Sequence, residues 1–85
     1  MDILVLGAGA WGTALAISAG ARQRVTLWAR DPQQARLIAD TRRNERYLPG
    51  FELPAGVLLA SDDVTALAQR HELVIIATPM AALRE

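Results

Sequence analysis

One run near the start of the chain restricts the fold more than any other. Residues 3–6, Ile-Leu-Val-Leu, are apolar and feed without a linker into Gly7-Ala8-Gly9-Ala10-Trp11-Gly12. A helical pattern, Thr13-Ala-Leu-Ala-Ile17, follows at once. Strand, glycine turn and helix start, in that order, are the parts of a βαβ unit that takes a dinucleotide. Gly7 suits the tight turn out of the strand, Gly9 leaves no Cβ between the backbone and a pyrophosphate, and Gly12 lets the helix lie close on the strand. The first N–H groups of the helix then face the phosphates, where the helix dipole favours negative charge. A lone G-x-G-x-x-G is a weak signal. Here a second strand over residues 24–28 follows the helix and completes the required context. The competing reading is a glycine turn that serves packing only.

The alternation of strand and helix continues to the end. The first helix is expected over residues 10–19, with Gly20 as its stop. Val25-Thr-Leu-Trp28 is β-branched and aromatic, as strands prefer. Asp31 then reads as an N-cap, Pro32 as the first helical residue and Gln34 as the partner that closes a capping box, with Ala35, Leu37, Ile38 and Thr41 along the helix. Residues 42–54 lose all periodicity and read as a long structured loop. A third strand is expected over 57–60 and a helix from there to about residue 70, capped by Ser61 or Asp62. Residues 73–77 are continuously apolar, as in a central parallel strand buried on both faces. Thr78 and Pro79 end it, and residues 80–85 read as the start of another helix.

The fold class is therefore α/β, a Rossmann-like parallel sheet of order 3-2-1-4, halted before the second half of a doubly wound domain. Residues 1–85 read as the N-terminal portion of a dinucleotide-binding domain from a longer protein, without a substrate domain. An open fourth strand in such a piece predicts weak stability and self-association through that edge.

Composition narrows the chemistry. The chain has 85 residues and nine basic against nine acidic ones, a net charge of +0, so no strong field points to nucleic acid or an anionic membrane. Every basic residue is arginine, which excludes a Schiff-base or general-acid lysine within these residues. With Cys at 0 there is no disulfide, thiolate nucleophile or thiolate-bound metal. No metal-ligand spacing is present, and His71, the only histidine, falls at the end of the sheet opposite the ligand crevice. No basic leader or long apolar span occurs, so a cytoplasmic protein without membrane insertion is expected.

Other candidate site residues lie along the carboxyl ends of the strands. NAD-specific domains place an acidic residue at the tip of the second strand, whereas an arginine there suits a 2′-phosphate. Ala29 and Arg30 occupy these positions, so NADP(H) is favoured and NAD(H) remains possible; the competing reading of Arg30 is a solvated surface charge. Asp31 is better used as a cap than as a ribose ligand. Trp11 either shields the pyrophosphate or covers the sheet edge. Tyr47 either contacts the cofactor or plugs the second helix, and Arg42, Arg43 and Arg46 beside it are an anion cluster or a solvated face. Pro79 marks the crevice or merely terminates the strand.

The strings G-A-G-A-W-G-T-A-L-A at residues 7–16, V-T-L-W-A-R-D-P at 25–32, T-R-R-N at 41–44, R-Y-L-P-G at 46–50 and I-A-T-P at 76–79 together resemble the bacterial NAD(P)-dependent glycerol-3-phosphate dehydrogenases. The resemblance runs over essentially the whole chain. It implies reduction of dihydroxyacetone phosphate to sn-glycerol 3-phosphate for phospholipid synthesis, in a homodimeric parent enzyme. It also implies dinucleotide contacts at Ala10, Trp11, Arg30 and Tyr47, with the catalytic lysine and the substrate's phosphate site outside these residues. Two departures stand out. Ala10 replaces a serine often found there, which removes a hydroxyl donor, and Thr78 stands in place of a valine. The alternatives are a related ketopantoate or pyrroline-carboxylate type reductase, which Trp11 and the R-Y-L-P-G loop argue against, or a non-catalytic nucleotide-sensing module.

Overall fold

The computed structural model describes residues 1–77, so Thr78, Pro79 and the helix expected over 80–85 lie outside the described residues. Four strands, β1 (Asp2–Leu6), β2 (Arg24–Trp28), β3 (Val57–Ala60) and β4 (Leu73–Ile76), alternate with α1 (Ala10–Gly20), α2 (Pro32–Thr41) and α3 (Val64–Gln69). All strand pairs are parallel and the sheet order is β3-β2-β1-β4, the order expected from the sequence. Leu6 stands opposite both Trp28 and Ile76, and Trp28 opposite Ala60, so the four strands finish flush. The ladder runs one residue further at that edge: Gly7 N–H donates to Trp28 O at 3.0 Å, Ala29 N–H to Ala60 O at 2.9 Å and Ala77 N–H to Leu6 O at 2.8 Å. The glycine turn and the tip of β2 are thereby locked side by side.

Strand alternation sends Ile3, Val5, Val25, Leu27 and Val57 to one face, where they form a single core with Ala16 of α1 and Ala35 and Ile38 of α2. Leu4 and Thr26 point the other way. There His71 joins α3 to the sheet, Nδ1 donating to Leu67 O at 2.6 Å and Nε2 hydrogen-bonded with the Thr26 hydroxyl at 3.1 Å. Glu72 N–H donates to Asp2 O, at the amino edge of the sheet. Both ring nitrogens are thus used in packing.

The buried residues of α1 are Gly12, Thr13, Ala16 and Gly20, all small, which is what allows the helix to lie so near the strands. Gly20 is not a left-handed stop as expected. It is the last helical residue, the following Ala21 stays right-handed, and a Cβ on Gly20 would run into the Val57 side chain.

The caps differ in detail from the sequence reading. Asp31 does cap α2, its Oδ1 accepting from Gln33 N–H at 2.9 Å. Gln34 does not close the box; its amide is drawn across the molecule to Ala8 O, 3.2 Å away. For α3 the cap is Asp63, not Ser61 or Asp62, because the helix starts at Val64 and the Asp63 carboxylate reaches Thr65 N–H at 3.0 Å. The Asp62 carbonyl is already taken by the Trp28 indole N–H at 2.9 Å. Asp31→Ala and Asp63→Ala should each lower stability by about 1 kcal/mol, read as a shifted urea midpoint with an unchanged slope.

The loop over 42–54 is closed at its neck. Arg42 ends α2 in the left-handed region, φ 59°. Its guanidinium reaches across to Pro54 O at 2.5 Å and Val57 O at 2.8 Å. Leu53 N–H donates to Arg42 O at 2.8 Å, and Arg43 pairs with Glu52 in an antiparallel bridge.

β4 departs most from expectation. Leu73, Val74 and Ile76 are exposed, Ile76 by 58%, instead of buried on both faces. Among the described residues β4 pairs with β1 alone, and the six-residue α3 is too short to cover it.

Candidate functional site

The site is built at the flush carboxyl edge. Gly7 turns the chain out of β1 with φ +114°, a conformation other residues rarely adopt. Gly9 is the N-cap of α1, and a Cβ placed on it would meet nothing within 4 Å. A Cβ on Gly12, by contrast, would collide with the Gly7 carbonyl. The first glycine shapes the turn, the second leaves open space before it, and the third brings the helix down onto it.

α1 has no side-chain cap and no acidic residue in its first turn, whereas α2 and α3 each carry an aspartate cap. Its leading N–H groups and positive dipole end are therefore open to an external anion. Ala10 and Trp11 stand exposed at this end, Trp11 by 63%, so the indole does not cover the sheet edge. Arg30, exposed just beyond β2, lies at the same edge and forms no ion pair among the described residues. Between α2 and the end of β3 opens a cleft of about 310 Å³ lined by residues that include Pro32, Ala35, Leu59, Ala60 and Ser61.

The three arginines of the loop do not converge as one group, although Arg43 and Arg46 both line a cleft of about 500 Å³ beside α2. Arg42 is drawn inward to the neck, Arg43 pairs with Glu45 at 3.4 Å, and the Arg46 guanidinium lies 5.3 Å from the Tyr47 ring centroid. Each points to a different partner. Tyr47 is 42% exposed and does not plug α2. Pro79 lies outside the described residues.

The residue that sequence reasoning missed is Asn44. It is only 3% exposed. Its Nδ2 donates to Ala8 O at 2.8 Å and to Thr13 Oγ1 at 2.7 Å, joining the loop to the glycine turn and α1 together. Gln34 donates to the same carbonyl. Among the described residues no group of three His, Cys, Asp or Glu side chains is placed to hold a metal, and no helix is long and apolar enough to cross a membrane.

Residues 2–85 match the family described as the NAD-dependent glycerol-3-phosphate dehydrogenase N-terminus. The chain belongs to that family. A curated relative from Acidovorax sp. (strain JS42), named glycerol-3-phosphate dehydrogenase, NAD(P)+, is 59% identical over 87 residues, covering 99% of this chain and 26% of the relative. One of the same name from Variovorax paradoxus (strain S110) is 55% identical, covering 100% of this chain and 25% of its own. The chain thus spans about a quarter of the length of these dehydrogenases. Among solved structures, a glycerol-3-phosphate dehydrogenase from Coxiella burnetii superposes with a TM-score of 0.74 at 35% identity, over 88% of this chain and 23% of that one. The Plasmodium falciparum enzyme superposes with a TM-score of 0.83 at 26% identity, over 99% of this chain and 26% of that one.

Proposed function

We propose that residues 1–85 are the N-terminal portion of the dinucleotide-binding domain of an NAD(P)-dependent glycerol-3-phosphate dehydrogenase. The observation that carries this reading is the uncapped N-terminus of α1 behind a turn whose Gly9 opens on free space. The pyrophosphate would lie there, against the N–H groups of Ala10, Trp11 and Gly12. Without the hydroxyl that a serine at position 10 would add, these backbone donors do the binding, and the exposed Trp11 indole shields them from water. The adenosine half would run over the ends of β2 and β3, with Arg30 forked onto a 2′-phosphate. NADP(H) is accordingly the favoured cofactor, with NAD(H) as the second. Tyr47 completes the proposed contacts at the rim, and Pro79 is kept as a proposed cofactor contact on the sequence alone.

When bound, the nicotinamide supplies the hydride that reduces the carbonyl of dihydroxyacetone phosphate to give sn-glycerol 3-phosphate, a glycerophospholipid precursor. These residues contribute binding and orientation to that step and no catalytic group. The chain alone is expected to bind cofactor without turnover.

Titration with NADPH and NADH at matched salt, followed by quenching of Trp11 and Trp28 fluorescence, tests the reading. NADPH should bind more tightly, and Arg30→Ala should lower its affinity about tenfold while leaving NADH nearly unchanged. Equal binding of both cofactors by the unaltered chain removes the role given to Arg30. No binding by a folded chain overturns the site.

A further inference from the structure

Two side-chain amides from separate parts of the chain converge on one backbone carbonyl. Asn44 Nδ2 and Gln34 Nε2 both donate to Ala8 O, at 2.8 and 3.2 Å. The second bond of Asn44, to Thr13 Oγ1 at 2.7 Å, holds its amide plane in place. Asn44 is buried, 3% exposed, and its loop is separately closed by Arg42 at the neck. Closure of the neck therefore does not depend on this amide, whose two bonds go to the glycine turn and α1 instead.

What the two amides fix is direction. The described peptide bonds are all trans, and in a planar trans peptide the C=O and N–H point opposite ways. Holding the Ala8 carbonyl toward α2 and the loop turns the next N–H, that of Gly9, away from them. The space about Gly9 is open, with nothing within 4 Å of where a Cβ would stand. Rotated by half a turn, the same peptide would present a carbonyl oxygen in place of its N–H and repel a phosphate.

We infer that Asn44, assisted by Gln34, is a positioning residue for the cofactor's pyrophosphate: by clamping the Ala8 carbonyl it keeps the Gly9 N–H in the anion-facing orientation. This rests on the dinucleotide reading above. It also gives the 42–54 loop a part in cofactor affinity that none of its exposed arginines has to supply.

The test is calorimetric titration of the 85-residue chain with two probes. ADP-ribose carries the pyrophosphate; 2′-AMP carries phosphate only at the Arg30 end. Asn44→Ala should weaken ADP-ribose about tenfold and Gln34→Met about threefold, with 2′-AMP changed less than about twofold in each. In nitrogen–proton correlation spectra the Gly9 amide resonance should move on ADP-ribose addition to the unaltered chain and stay in place in Asn44→Ala. A role confined to holding the fold would lower both probes together, and that result, or unchanged ADP-ribose affinity, overturns the clamp. If Asn44→Ala does not fold by circular dichroism, the partly buried Gln34→Met decides alone, by the same criterion. If 2′-AMP binds too weakly to measure, the Gly9 resonance decides. Failure of the unaltered chain to bind ADP-ribose overturns the dinucleotide reading and the clamp with it. Binding that is indifferent to both substitutions overturns only the clamp.

Discussion

Gly12→Ala should remove about 3 kcal/mol of stability, a large share of what a chain of this size has at 25 °C. The added methyl would point at the Gly7 carbonyl, with the Gly7 carbonyl carbon at 3.1 Å and the Ala77 Cβ at 3.2 Å just behind it. None of these is the far end of a flexible side chain. Relief requires α1 to lift from the ends of β1 and β4, and lifting it withdraws Ala16, which is 0% exposed, from the core. The loss is larger than overpacking alone because it uncovers apolar surface as well. Urea unfolding followed by far-ultraviolet circular dichroism measures it. A midpoint within experimental error of the unaltered chain would mean that the turn can yield and that Gly12 has no packing role. Gly9→Ala is the control: its Cβ enters open space, so stability should stay within about 1 kcal/mol.

Arg42→Met should destabilise by about 2–3 kcal/mol, since two partly buried carbonyls, those of Pro54 and Val57, lose a charged donor at once. Methionine keeps much of the stem's apolar contact, so the loss reports on hydrogen bonding more than on packing. Arg42→Gly separates the remaining effect. It also loses the guanidinium, but it relieves the left-handed backbone, φ 59°, by about 1 kcal/mol. Arg42→Lys should recover only part of the loss: both bonds come from the single terminal nitrogen Nη2, so an ammonium has donors enough, but its shorter stem does not bring it to the same place between the two carbonyls. Hydrogen exchange at Leu53, whose N–H bonds to Arg42 O, gives a local readout. Exchange there should quicken in all three variants before global unfolding does. Unchanged exchange in Arg42→Met would mean that the backbone bridge closes the neck unaided.

The parts of this molecule that sequence reasoning reached are those governed by neighbours in the chain. An apolar run ending at Gly7, a helix after it and a β-branched strand after that fix β1, α1 and β2, and Asp31-Pro32 marks the start of α2. Strand order then follows from the rules of parallel connection. The misses at the two helix caps share one cause, which is that a distant group outcompetes a local one. Gln34 has the right spacing for a capping box, yet the Ala8 carbonyl takes its amide. Asp62 satisfies the cap pattern, but the helix begins after Asp63 and the indole of Trp28 holds the Asp62 carbonyl. Asn44 carries no periodicity and is flanked by charged residues, so nothing local separates it from solvent-facing neighbours. Its burial exists only once the loop folds back on the glycine turn. In β4 the apolar run was read correctly as a strand and wrongly as a covered one, because hydrophobicity records the environment a strand suits rather than the one it has.

The closed neck of the 42–54 loop has a consequence for how this chain tolerates change in length. With Arg42, Leu53 and the Arg43–Glu52 bridge joining the two limbs, the ends of the tip are already brought together. Beyond the anchor at Asn44, Pro49, Gly50 and Phe51 are all exposed. Extra residues at 49–51 would lengthen a ring that is shut elsewhere. By the logarithmic dependence of chain closure on length, even doubling that ring adds only about 0.6 kcal/mol of lost conformational freedom. The neck thus divides one long segment into a joint whose residues are fixed by the carbonyls they must reach, and a tip whose length can vary while the sheet stays as it is.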